Sequence, residues 1–163
     1  MPGMNRLMIS ALLAVALGSC GGAASTSEEE MNRMTPELAD RALGLTDGRL
    51  SPCPDMPNCV CSQHAEDADH HIAPFETGGD PAAAWGKLQV LLGDTPRVEL
   101  LKQEPTYLQT RFKTAIFRFE DDVEFLLDAD AGVIHVRSAS RLGHSDLGKN
   151  RKRVEALREK LGA

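Results

Sequence analysis

The sequence has few aromatic residues and no excess of positive charge. Phe, Trp and Tyr make up 4% of its 163 residues, which leaves few side chains for stacking on nucleic-acid bases. The formal net charge is −6, so the molecule as a whole does not attract a polyanion. We therefore expect no nucleic-acid partner, and any basic surface must be local. A hydrophobic fraction of 42% still predicts that most of the chain folds.

Several patterns that indicate a particular chemistry are also missing. The chain has no Gly-x-Ser-x-Gly sequence, the spacing of a serine nucleophile elbow. It has no Cys-x-x-Cys pair, so the cysteines and histidines at 53–71 do not favour a zinc site. The sequence therefore predicts no metal and no cofactor. The apolar run at 7–17 is too short, and wrongly flanked, for a membrane-spanning helix.

The apolar run instead resembles the core of a bacterial lipoprotein signal. It ends in Leu-Gly-Ser-Cys at Cys20, which is similar to a lipobox, whose cysteine becomes diacylated. Two acyl chains hold a protein at a membrane surface where one is marginal. We expect Cys20 to anchor the protein on the periplasmic side of the bacterial cell envelope. An ordinary secretory peptide with a chance cysteine is the alternative.

This assignment divides the chain into three parts. Residues 1–20 are the predicted signal peptide. Residues 21–34 are small and acidic, cannot build a core and are predicted to be a flexible tether. Residues 35–163 are long enough for a single domain with its own core.

Hydrophobic periodicity and turn residues predict an α+β fold for this domain. The expected core order is β-α-β-β-β-β-α, with a mainly antiparallel sheet and helices packed on one face. The predicted elements are a helix at 35–43, a strand at 71–75, a helix from Pro81 to Gly93, strands at 97–103, 107–114, about 117–127 and 133–140, and a final helix with Leu147, Val154, Leu157 and Leu161 as its buried stripe.

Alternation along the strands assigns residues to two faces of the sheet. Phe119, Phe125 and Val136 are predicted to share one interior with Trp85. Asp121 falls on this apolar side, which indicates either a bulge or a buried carboxylate paired with an arginine. The opposite face is predicted to be solvated, with cross-strand charge pairs. Its members are Arg111, Lys113, Arg118, Glu120, Asp122, Glu124, His135 and Arg137.

The proline-rich loop at 51–62 requires a cross-link, because its prolines disfavour helix and strand ladders. We expect a Cys53–Cys59 disulfide, as suits an exported protein in an oxidising compartment. Cys61 is then the unpaired cysteine. A Cys53–Cys61 pairing is the alternative.

Two blocks of the sequence resemble an uncharacterised bacterial and plastid family, domain of unknown function 1499. The first is Cys-Pro-x-x-Pro-Asn-Cys-Val-x-Ser-Gln over 53–63, and the second is Arg-Ser-x-Ser-Arg-x-Gly-x-Ser-Asp-x-Gly-x-Asn-Arg over 137–151. The resemblance runs from about Cys53 to Leu161. It implies a compact α/β domain that is often exported or membrane-associated, and it supplies no activity to assign to this chain. Family members often have serine at the position of Cys61, which favours the Cys53–Cys59 bridge.

The second block is the candidate functional site. Its arginines, together with Lys149, Lys152 and Arg153, gather positive charge near a helix start, an arrangement that suits a phosphate or carboxylate. An internal network of ion pairs, with Arg141 and Arg151 bound to nearby aspartates, is the structural alternative. The candidate anion-binding residues are Arg137, Ser138, Ser140, Arg141, Ser145, Asp146, Asn150 and Arg151.

Three functions follow from these residues. The first is a non-catalytic envelope lipoprotein that binds an anionic small molecule or a protein partner at this loop. The second is a hydrolase-like enzyme that uses Asp121 or Asp122 with Ser140 or His144, since unlike titratable groups that converge can perform acid–base chemistry. The third is a structural or assembly protein.

Overall fold

The computed structural model describes residues 43–116 and 118–163. The predicted signal, the tether and the predicted helix at 35–43, apart from Leu43, lie outside the described residues. The elements are β1 (Leu45–Thr46), β2 (Arg49–Leu50), β3 (Cys59–Cys61), β4 (Phe75–Glu76), α1 (Pro81–Asp94), β5 (Val98–Gln103), β6 (Tyr107–Lys113), β7 (Glu120–Asp128), β8 (Val133–Ser140) and α2 (Lys149–Leu161).

Six strands form one antiparallel sheet, which confirms the predicted α+β fold. Their order is β3-β8-β7-β6-β5, and β4 pairs with the start of β8. β8 has the predicted bounds, and the turn before it places Asp128 Oδ1 2.9 Å from the Ala131 amide. The strand predicted at 71–75 is reduced to a bridge at His71 and the short β4, because Pro74 has no N–H for a ladder.

Both helices cover the same face of the sheet. Asp80 caps α1 by accepting from the Ala83 amide, and Pro81 occupies the first turn as predicted. Trp85 is part of the core and not of a ligand pocket. Among the described residues, neither helix is long and apolar enough to cross a bilayer. The shared interior contains Trp85, Leu88 and Leu92 of α1, Val154, Leu157 and Leu161 of α2, and Val123, Phe125 and Val136 of the sheet.

Two residues predicted for this interior lie outside it. Phe119 is half exposed because β7 begins only at Glu120, and the preceding residues form a loop closed by Thr114. Leu147 is 81% exposed because it precedes α2 in a left-handed conformation, with φ of 56°. These two predictions were wrong, since strand and helix each start later than the hydrophobic pattern suggests.

The prediction of a solvated second face is also wrong in the middle of the sheet. Asp122, Glu124 and Arg137 are buried there. The β1–β2 hairpin and the loop after it cover this face, and the Gly44 amide donates to Glu124 Oε1 at 2.7 Å. A second apolar cluster forms beneath this cover from Leu50, Cys61, Tyr107 and Leu126, with Cys53 packed against it.

Candidate functional site

Asn150 connects three elements at the start of α2. Its amide nitrogen donates to the Asn58 carbonyl at 2.7 Å and contacts the Ser140 hydroxyl at 3.0 Å. Its amide oxygen accepts from Ser138 Oγ and from Arg153, each at 2.6 Å. Since the residue is buried and both ends of its amide are bonded, Asn150 locks α2 to β3 and β8.

Each buried carboxylate of β7 is paired with an arginine. Arg141 contacts Asp122 through two bonds, from Nε at 2.6 Å and from Nη2 at 3.0 Å. Arg137 Nη1 lies 3.1 Å from Glu124 Oε2. Arg153 pairs with Asp121 on the helix side of the sheet.

These pairs settle the open question about Asp121. β7 keeps a regular register with β6 and β8 through Asp121, so no bulge is present at this position. The residue is the predicted buried carboxylate with an arginine partner. The partner is Arg153, which from the sequence contributes only positive charge to the loop. Arg153 follows Asn150 by three residues, which places both side chains on one face of α2. This spacing is the sequence feature that could have indicated Arg153 as a member of the site.

The free backbone amides at the start of α2 donate to a carboxylate of the preceding loop. Asp146 accepts from the amides of Gly148 and Asn150 at 2.9 and 2.6 Å. Ser145 Oγ accepts from the Leu147 amide at 3.3 Å. Asp146 therefore binds the first free amides of the helix, although Gly148 is the residue at the helix boundary. Its negative charge occupies the position that an external anion would take at this helix end.

A cleft of about 610 Å³ lies between the disulfide loop and the start of α2. Its apolar lining includes Met56, Pro57 and Val60. The disulfide Cys53–Cys59 confirms the predicted pairing and shapes this loop, while Cys61 is the free, buried thiol. The polar lining consists of Asp55, Asp69, His70, His144, Asp146, Asn150 and Arg151.

Arg151 is the arginine of the predicted site that lines this cleft. Its Nη1 donates to the His71 carbonyl at 2.8 Å, and its Nη2 donates to the Asp69 carbonyl at 3.2 Å. His70 closes the rim, with Nε2 3.0 Å from the Met56 carbonyl and Nδ1 2.7 Å from Asp67. No sequence pattern indicated His70, because its partner Met56 is 14 residues away in a loop.

The structure thus separates the predicted site residues. Arg141 is held by Asp122. Asp146, Asn150 and Arg151 reach the cleft. Arg137 and Ser138 are buried in the sheet. Ser140 and Ser145 line a second cleft, of about 270 Å³, on the other side of the loop.

Of the residues of the hydrolase-like alternative, Asp121 and Ser140 lie in the same cleft, whereas His144 lies in another. Asp121 and Ser140 line the second cleft, where Asp121 pairs with Arg153 and Ser140 contacts Asn150, and His144 lines the first. Asp122 holds Arg141 with both carboxylate oxygens. No cluster of three or more His, Cys, Asp or Glu side chains suited to a metal ion occurs in the part of the chain that the structure describes.

Burial changes the ionisation of three groups beneath the hairpin cover. Desolvation raises the pKa of the Cys61 thiol, which makes its reactive thiolate scarce. Burial, and the nearby Glu124 carboxylate, raise the pKa of Tyr107, whose hydroxyl lies 2.6 Å from Glu124 Oε1. Burial lowers the pKa of His135. These groups belong to the face opposite the helices and are held there by the cover.

The fold and the cleft together define a small α+β domain with a disulfide-shaped loop against the start of its last helix. The model of a family described as "Protein of unknown function (DUF1499)" matches residues 49–161. The chain therefore belongs to this family, as the two sequence blocks indicated. No curated protein matches the chain.

Proposed function

We propose that the chain is an exported, lipid-anchored envelope protein that binds a small organic anion in the cleft beside Arg151. The lipobox-like sequence at Cys20 supports export and anchoring. The disulfide of the cleft loop supports an oxidising compartment. The cleft volume lies within the range of small-molecule sites, and its lining combines apolar and polar side chains.

The observation that carries this proposal is the placement of the Arg151 guanidinium. Two backbone carbonyls orient it, one bonded to each terminal nitrogen. A guanidinium has further N–H groups, Nε among them, that remain for a ligand. A carboxylate or phosphate bound there forms charge-assisted hydrogen bonds with a group that is already positioned.

Three carboxylates in the lining restrict the class of ligand. Asp55, Asp69 and Asp146 repel a simple anion such as inorganic phosphate. A ligand that also carries amino or hydroxyl donors satisfies these acceptors. The cleft therefore suits a small organic acid with such donors, for example an amino acid or a sugar acid.

The test is a binding measurement on purified protein with L-glutamate, D-glucuronate and inorganic phosphate as probes. Calorimetry should detect one of the two organic acids with the wild type, and phosphate more weakly. Arg151→Gln should weaken that binding by about tenfold or more, as expected for the loss of a charged hydrogen bond. Lys152→Gln is the matched control, because Lys152 is exposed, carries the same charge and does not line the cleft.

The comparison of the two variants decides the outcome. Circular dichroism of Arg151→Gln checks that the domain remains folded. Arg151→Lys is a second variant, which keeps the positive charge but not the guanidinium. Equal affinities of Arg151→Gln and Lys152→Gln for the probe would overturn the proposed site. The proposal would also be overturned if none of the three probes bound to the wild type.

A further inference from the structure

Four large apolar side chains are exposed together at one end of the sheet. Seven large hydrophobic residues are exposed in the described part of the chain, and four of them lie on two adjacent loops. Ile116 is 84% exposed, Leu147 81% and Leu142 63%, and Phe119 is half exposed. We refer to these four residues as the apical patch. Exposed apolar side chains that lie together indicate an interaction site, whereas single ones need no explanation.

The two loops are held next to each other by the sheet. Thr114 closes the first loop, since its amide donates to the Phe119 carbonyl at 2.9 Å. The Arg141 amide donates to the Glu120 carbonyl at 3.2 Å, which joins the second loop to the first. Phe119, Leu142 and Leu147 consequently line one cleft of about 270 Å³.

Leu147 departs from two local preferences at once. It exposes a large apolar side chain, and it adopts a left-handed backbone conformation that disfavours residues other than glycine and asparagine. Such a conformation costs about 1 kcal/mol or more relative to an ordinary one. Neither feature helps the core, because the side chain points away from it.

Positive charges surround the apical patch. Arg118 and Lys149 are exposed on its two loops, and Arg97 is exposed where it lines a shallow cleft with Arg118. The neighbouring acids are already paired. Glu120 lies 3.4 Å from both Lys113 and Arg111, Glu99 contacts the same two cations, Asp121 holds Arg153, and Asp146 caps α2.

We infer that the apical patch docks on the surface of an anionic bilayer, with its apolar side chains at the acyl boundary and its cations at the headgroups. Apolar tips with a basic rim match this interface, and each cation near an anionic surface adds about 1 kcal/mol of attraction. A second copy of the chain is a poorer fit, because a symmetric contact would place the basic rims against each other.

The predicted anchor is compatible with this orientation. The predicted tether at 21–34 can reach roughly 50 Å when extended. That length lets the domain turn the apical patch toward the bilayer that holds the acyl chains. A second contact converts a loose tether into a fixed orientation. This inference does not depend on the proposed ligand, since the first cleft contains none of the four residues.

The test uses the full chain with two tryptophan reporters. Phe119→Trp places a fluorophore in the apical patch, and Val90→Trp places one on the exposed side of α1 as the control. The native Trp85 is buried and gives the background. In vesicles of phosphatidylethanolamine and phosphatidylglycerol with brominated acyl chains, Phe119→Trp should be quenched at least about twofold more strongly than Val90→Trp. Phosphatidylcholine vesicles should give less quenching.

A second substitution separates docking from folding. Leu147→Asn keeps a residue that tolerates the left-handed conformation and removes the apolar side chain. Added to Phe119→Trp, it should reduce the quenching while the circular dichroism stays unchanged. Equal quenching of the two reporters would overturn the inference. A concentration-dependent blue shift of Phe119→Trp without vesicles would also overturn it, because a second copy would then cover the patch.

Discussion

Glu124 and Arg137 lie directly opposite each other on β7 and β8, and both are buried. Arg137 Nη1 is 3.1 Å from Glu124 Oε2. The other carboxylate oxygen accepts from the Tyr107 hydroxyl at 2.6 Å and from the Gly44 amide at 2.7 Å. One buried carboxylate therefore joins the centre of the sheet to the start of the described chain, 80 residues away. The β1–β2 cover is held by charge as well as by apolar contact.

Breaking this pair should destabilise the protein strongly. Glu124→Gln leaves the buried Arg137 without a countercharge, and we expect a loss of about 3–5 kcal/mol in the free energy of unfolding. Glu120→Gln, on the partly exposed part of the same strand, should change it by less than about 1 kcal/mol. Urea denaturation measures both. The double variant Glu124→Gln with Arg137→Met keeps an acceptor for Tyr107 and Gly44 and should recover part of the loss. Equal stability of the two single variants would contradict the role of the pair.

The disulfide should stabilise the fold and shape the cleft. Its loop is short, with a sequence separation of 6, so reduction should remove about 2 kcal/mol through the entropy of the unfolded chain. Denaturation of the wild type with and without reductant measures this loss of stability. The double variant Cys53→Ser/Cys59→Ser lacks the disulfide permanently and should show the same loss. Cys61 should resist alkylation in the folded oxidised protein because it is buried. Rapid alkylation of Cys61 before unfolding would contradict the buried placement.

His135 should make the protein less stable in mild acid. Burial lowers its pKa below the ordinary value of 6.5, so below this pH the unfolded chain binds a proton that the folded protein excludes. Its contribution to stability is present above about pH 6.5 and is lost as the pH falls through the folded pKa. His135→Gln should flatten the change in unfolding free energy between about pH 7 and pH 5. An unchanged slope in this variant would show that other groups cause the dependence.

Replacing Asn150 should loosen α2. Asn150→Asp places an acceptor against the Asn58 carbonyl, where the native amide donates. Leaving such buried groups unpaired costs about 1–3 kcal/mol each. Lys152→Gln, at an exposed position two residues further along α2, should stay within about 0.5 kcal/mol of the wild type. Urea denaturation followed by circular dichroism distinguishes them, and a wild-type stability for Asn150→Asp would show that Asn150 does not hold the helix.

Part of the fold and of the site can be read from local sequence. Asp80-Pro81 begins a helix, and the turn before β8 ends one strand and begins the next, because caps and turns act between residues close in the chain. Phe119 and Leu147 show the limit. Each continues an apolar pattern by sequence, but the regular element starts after it, so the side chain falls outside the core.

Hydrophobic alternation and the positions of Pro, Gly and Asp were sufficient for the α+β order and the sheet's helix-covered face, and the family resemblance favoured the Cys53–Cys59 bridge over Cys53–Cys61. The folded molecule alone assigned Arg153 to Asp121, placed Arg151 at the rim of a cleft and covered Glu124 with the β1–β2 hairpin. Periodicity records which side of a strand or helix a residue occupies. Which distant segment lies against that side depends on register and packing across the whole chain, and a buried charge has a partner only after those segments meet.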